Sequence, residues 1–204
     1  MTENSENSQN EDVQKTLVTL HQAAADGNAK AQFKLGMLYA NGDEVDLSYS
    51  KAADLIMAAA ESGLLEAQST MGWLYANGYG VQQDDESAGY WYLQAANQGS
   101  AKDEFVLGTM YRFGQLGSRR DMAQSIHWYQ KAANRGFAPA QFALGKMIMD
   151  GKHVEKDSVT AFQWLSLAHA NGSKKAEATL KTLLQSMTPV EVEAAKKTIG
   201  VEEH

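Results

Sequence analysis

Apolar positions along the chain fall into two alternating helical stripes. One stripe is Ala31, Leu35, Leu38 and Tyr39, repeated as Ala67, Met71, Leu74 and Tyr75. Spacings of four, seven and eight trace one face of a helix with 3.6 residues per turn. This helix, A, is predicted to close at Gly42 and Gly78, since glycine readily takes the left-handed conformation that ends a helix. The second stripe pairs Leu55, Trp91, Trp128 and Trp164 with Ile56, Tyr92, Tyr129 and Leu165, followed by Ala59, Ala95, Ala132 and Ala168. It predicts a helix B, opened by Ser48, Asp84, Asp121 and Asp157, whose side-chain oxygens suit the N-cap.

The polar and small positions recur with the same period. Gly27, Gly63, Gly99, Gly136 and Gly172 lie 36, 36, 37 and 36 residues apart. Further columns are Gly36, Gly72, Gly108 and Gly145, and Gly42, Gly78, Gly114 and Gly151. A fixed period of this length marks a repeat array. The predicted repeats are about 27–62, 63–98, 99–135 and 136–171, within a solenoid over 12–200. Val13 to Ala25 reads as an N-terminal capping helix, and residues 172–199 as a half repeat plus a capping helix. Lys181 stands where the next mid-helix glycine would fall, and Thr188-Pro189-Val190-Glu191 forms a capping-box pattern with proline at the first helical position. Residues 1–11 are polar and predict a disordered tail. Each mid-helix glycine costs about 1 kcal/mol relative to alanine. Close approach of helix B through its alanine column is the predicted compensation.

Composition narrows the functional classes. The 204 residues include 18 basic and 25 acidic side chains, for a net charge of −7. That balance argues against nucleic-acid binding, which needs a basic stripe. No cysteine is present, which excludes disulfides and thiolate metal sites. No apolar run is long enough to span a bilayer. Met1-Thr2-Glu3-Asn4-Ser5-Glu6 does not resemble a signal peptide, so the expectation is a soluble cytoplasmic protein with no membrane partner.

The segment Ala67-Gln68, Met71-Gly72-Trp73-Leu74-Tyr75, Gly78-Tyr79-Gly80-Val81, Asp84, Ala88, Trp91-Tyr92, Ala95-Ala96, Gly99 closely resembles the Sel1-like repeat, a relative of the tetratricopeptide repeat. The resemblance covers roughly residues 13–199. It implies an all-α fold, a right-handed α–α superhelix, acting as a non-catalytic scaffold for a protein or peptide partner. Departures are Asp103-Glu104 in place of Ala-Gln, one extra residue within 115–120, and Ile148 in place of tyrosine. Sel1-like arrays also serve as bacterial immunity or regulatory proteins, which stays open as an alternative. A hydrolase of beta-lactam-like substrates, suggested for a cysteine-rich branch, is the remaining one.

Catalytic chemistry is poorly represented. There is no nucleophile elbow and no phosphate-cradling loop; Gly78-Tyr79-Gly80 belongs to the turn between helices. The histidines are His21, His127, His153, His169 and His204. His153 and His169 are about 24 Å apart along a helix, too far to share a metal. Asp84-Asp85-Glu86 opens a helix, where the backbone dipole favours negative charge. No catalytic residue, metal site or cofactor is therefore expected.

By analogy with the tetratricopeptide architecture, helix A lines a concave groove. Its variable positions are Phe33, Met37, Trp73, Asn77, Phe105, Arg112, Phe113, Phe142 and Met149, the predicted partner-binding residues. Arg112-Phe113 replaces a small Ala-Asn pair, and Arg119 and Arg120 lie in the following turn, so the third repeat is suited to an acidic peptide. Trp73, Arg112 and Phe113 are expected to face one groove.

Overall fold

The computed structural model describes residues 2–115 and 117–198, with side chains from residue 14 onward. Eleven helices make up its regular structure among these residues. The chain divides into two compact units, Met1–Gln98 and Gly99–His204. The first holds α1 (Thr2–Ala25), α2 (Ala29–Asn41), α3 (Tyr49–Glu61), α4 (Leu65–Asn77) and α5 (Asp85–Asn97). The second holds α6 (Ala101–Phe113), α7 (Met122–Asn134), α8 (Ala138–Asp150), α9 (Ser158–Ala170), α10 (Lys174–Ser186) and α11 (Pro189–Thr198). Helices α2, α4, α6 and α8 are the A helices, each paired with the B helix that follows it.

The mid-helix glycines mark the A–B contact, though not the contact the alanine column predicts. A Cβ added to Gly36 would sit 2.7 Å from Ile56 Cγ1, and one on Gly72 would lie 2.8 Å from the Tyr92 ring. At Gly108 and Gly145 the nearest atoms belong to Tyr129, at 2.5 Å, and Leu165, at 2.9 Å. Each glycine thus seats a large side chain of helix B, which packs where a methyl group would stand. The alanines face the next A helix instead: Ala59 and Ala60 join Ala67 and Met71, while Ala132 and Ala133 join Ala140 and Leu144. Small residues there let consecutive helices approach closely. Trp91 and Trp128 are buried, as their column predicts. Trp164 is only half-buried and lies along the edge of the Ala132–Leu144 cluster.

Helix ends follow the predicted chemistry. Ser48, Asp84, Asp121 and Asp157 are all N-caps whose side chains accept backbone N–H bonds. Gly42, Gly78, Gly114 and Gly151 end the A helices in the left-handed region. Asp157 also accepts from the Thr160 hydroxyl. This bond and the Thr160 N–H, with a lesser part from the Val159 N–H, hold its carboxyl below the usual range, and burial opposes them. A lowered carboxyl pKa stabilises the folded state above the unfolded-state pKa, and that gain is lost as pH falls through the folded value. Asp157→Ala is therefore expected to cost about 1 kcal/mol at neutral pH. Its difference from the wild type should narrow as pH falls through the folded-state value, where the ionic part of the cap is lost and the neutral carboxyl still accepts. Chemical denaturation at neutral and at acid pH checks this; an equal difference at both removes the carboxylate from the account.

At the start of the A helices a buried polar side chain links to the end of the same repeat. Gln68 Nε2 donates to Ala60 O at 3.3 Å, and Gln98 Nε2 donates to Gln68 Oε1 at 2.7 Å. Gln141 repeats this with Ala133 O at 3.1 Å and Asn171 Nδ2 at 2.9 Å. In the third repeat the pair becomes ionic. Arg135 Nε donates to both oxygens of the fully buried Glu104, at 3.1 and 3.2 Å. The Asp103 that precedes it occupies an alanine column, yet its placement is local: the Ser100 hydroxyl donates to its carboxylate, and its own N–H donates to Ser100 Oγ. The Asp103-Glu104 departure is thus a first-turn partner for the Ser100 N-cap, followed by a charged version of the glutamine link.

The ends differ from expectation on one side and match it on the other. Helix α1 is continuous from Thr2, where a tail through residue 11 is predicted. Residues 2–25 contain neither glycine nor proline, so nothing interrupts the turns leading into Val13–Ala25. At the other end Thr188 Oγ1 accepts the Glu191 N–H, and Glu191 accepts the Thr188 N–H at 2.7 Å, which is the predicted capping box. Helix α11 then lays Val192 and Ala195 on the cluster of Ala161, Phe162 and Leu183.

Candidate binding surfaces

In the first unit the predicted residues separate into two groups. Phe33 and Met37 are half-buried against the α3–α4 core. Trp73 and Asn77 are exposed on α4. Asn77 Nδ2 donates to Trp73 O at 2.8 Å. The Trp73 ring stacks on Tyr79, with centroids 5.0 Å apart and an interplanar angle of 4°. Tyr79 in turn leans on Tyr49 at 5.3 Å. Of this three-ring cluster the sequence-based set holds Trp73 alone. Gly80 makes the cluster possible: a Cβ there would lie 1.9 Å from Tyr49 O, so only glycine lets the turn pass this close to the start of α3.

In the second unit Phe105 and Phe142 line a depression of about 680 Å³. Phe105 packs against Tyr129 and Phe137, with ring centroids at 5.3 and 5.5 Å, and the Tyr129 hydroxyl is hydrogen-bonded to that of Thr109 at 3.1 Å. One wall is Phe113, 59% exposed, with the Arg112 guanidinium 5.3 Å from its ring centre. Lys146, Lys174 and Lys175 also line it. A second depression, of about 310 Å³, shares Arg112, Phe113 and Lys146 and adds Arg120, Lys152 and His153. Arg119 does not line either one. Met149 packs on the cluster of Phe162 and Leu183 and lines neither. The lysines come from different repeats and share no column with Arg112, and the predicted set does not include them.

Among the described residues no group of three or more His, Asp or Glu side chains converges as metal ligands would. No helix there is long and apolar enough to cross a membrane.

Stacked helix pairs, with a large B-helix side chain seated on each A-helix glycine, define a helix-pair repeat protein of the all-α solenoid class. The Sel1 repeat model matches residues 29–64, 65–100, 102–137 and 138–173. The chain belongs to the Sel1 repeat family. A protective antigen of uropathogenic Escherichia coli strains, displaying an SLR fold, is 31% identical, with a TM-score of 0.80 over 89% of this chain and 41% of its own. A Sel1 repeat protein from Oxalobacter formigenes is 33% identical, with a TM-score of 0.75 over 83% of this chain and 49% of its own. The chain thus spans less than half the length of either protein. No curated protein matches the chain. The Sel1 repeat fold is generally a protein-interaction scaffold and typically non-catalytic.

Proposed function

We propose that this chain binds a protein or peptide partner, without catalysis, through the exposed faces of its A helices. The observation that carries the reading is Phe113. A phenylalanine 59% exposed beside an arginine, at the lip of an apolar depression, leaves surface wet that a partner would cover. Aromatic and arginine side chains are also the types that dominate binding energy at interfaces. Trp73 and Tyr79 offer a comparable exposed pair on the first unit.

The test starts with affinity purification from the native cell, using wild-type and Phe113→Ala chains as baits. Phe113 contributes little to the core, so the substitution should change stability by no more than about 0.5 kcal/mol. Calorimetric titration of the recovered partner should show binding weakened by about 2 kcal/mol, some thirtyfold in Kd. Glu66→Ala, on an exposed position of α4, is the control and should have little effect. Unchanged affinity in Phe113→Ala would remove this surface from the account, and a large fall in melting temperature would return Phe113 to the core.

A further inference from the structure

Charge is unevenly divided along the chain. Residues 1–98 carry four basic against fourteen acidic side chains, a net of −10, while residues 99–204 carry fourteen against eleven, a net of +3. Much of that basic excess gathers around the two depressions of the second unit. Together they are lined by Arg112, Arg120, Lys146, Lys152, Lys174 and Lys175, against a single carboxylate, Asp150, which pairs with Lys146. The two depressions also differ in kind. The larger one is floored by aromatic side chains, with Phe105, Tyr129 and Phe142 among its lining. The smaller one is mainly cationic, and both share the wall of Arg112, Phe113 and Lys146.

We infer that this surface binds an acidic peptide segment carrying one apolar anchor. The inference rests on the interaction reading above and specifies its partner. The anchor enters the aromatic depression, where Phe113 and Arg112 close over one side. Carboxylates within a few residues of it lie over Arg120, Lys146 and Lys152. Apolar burial supplies most of the affinity, and the cations select the sequence around the anchor and raise the association rate. A nucleic-acid strand fits this surface less well. Its continuous charge would have to avoid a chain of net −7, whereas an acidic peptide needs only a short anionic stretch.

The test is selection of a random twelve-residue peptide library displayed on phage against the full-length chain. Enriched peptides are then synthesised with a fluorescent label and titrated by anisotropy. The expected enrichment is an aromatic or large aliphatic residue with two or more Asp or Glu within about four positions. Binding of such peptides should weaken at least tenfold in Lys146→Glu/Lys152→Glu and in Phe113→Ala, and should fall as salt rises. Circular dichroism melts establish that both variants are folded. Peptides lost in Phe113→Ala but lacking acidic residues, or indifferent to the charge reversal, overturn this inference and leave the interaction surface standing. Peptides indifferent to Phe113→Ala as well count against both readings. Failure of the library to enrich overturns the inference. So does displacement of the selected peptide by oligothymidine at comparable concentration, which would assign the surface to single-stranded nucleic acid.

Discussion

Arg135→Met is expected to destabilise the protein by about 2 kcal/mol, and the double substitution Glu104→Gln/Arg135→Gln to recover most of that loss. Glu104 is fully buried, and the Arg135 Nε hydrogen bonds are the close contacts to its carboxylate. Removing the arginine strands a buried charge. Loss of one member of an enclosed ion pair typically costs about 3–5 kcal/mol. The lower figure follows from two features: Arg135 is itself half-exposed, so water reaches the pair, and Lys131 Nζ stands 3.9 Å from the same carboxylate. Glutamine at both positions reproduces the neutral link of Gln68 with Gln98. The double variant should therefore lie within about 1 kcal/mol of wild type, since exchanging a buried ion pair for a satisfied neutral one is often close to neutral. Urea unfolding of the wild type, the single variant and the double variant measures the three stabilities. A double variant no more stable than Arg135→Met would show that the charge, and not the hydrogen-bonded link, is what the third repeat needs.

Gly108→Leu is expected to be the other severe change. The Tyr129 ring stands 2.5 Å from where the first side-chain carbon would be placed, so even alanine cannot enter without displacement. Tyr129 has little room to yield: it is 2% exposed, packs on Phe105, and is hydrogen-bonded through its hydroxyl to Thr109. Overpacking of this kind costs about 1–3 kcal/mol, and the helix propensity gained over glycine returns roughly 1 kcal/mol or less. The net loss is then up to about 2 kcal/mol, which lowers the melting point by up to roughly 4–8 °C in a chain of this size. A variant melting at or above the wild-type temperature would mean that α6 and α7 can separate without penalty, and the glycine column would need another explanation.

The helices, their caps and their pairing were legible because each repeat restates them. A cap depends on a handful of local atoms, so Asp84, Asp121 and Asp157 declare themselves by type and position. Which face meets which partner was less legible. Ala59 and Tyr92 both lie on helix B stripes, and periodicity alone does not say that the tyrosine column, not the alanine column, sits on glycine. The candidate surface was half legible for a related reason. Arg112 and Phe113 stand out as breaks in a small-residue column, and both are at the surface. Phe33, Met37 and Met149 also vary between repeats, and each is partly buried against its own core. Tyr49 and Tyr79 meet only because Gly80 lets a turn lie against α3, and a column comparison does not reveal contact across that turn. Helix α1 runs on through a polar segment that holds neither glycine nor proline.

The link at the head of α4, α6 and α8 bears on how such a chain grows. Gln68 and Gln98, Glu104 and Arg135, and Gln141 and Asn171 each fall within one matched repeat, 65–100, 102–137 or 138–173. A gene segment duplicated at those boundaries carries both halves of its own lock to the new position. A crossover inside the repeat separates them, and joining the front of the third repeat to the back of the fourth would set Glu104 against asparagine. The first repeat shows what an unmatched back half looks like. Its equivalent residue is Ser62, which turns back to Ala58 O, and Gln32 Oε1 is buried without a hydrogen-bond partner. The second to fourth repeats are therefore units that recombination can move in this chain without separating the two halves of a link, and charge at the lock can drift only when both ends of one repeat change together.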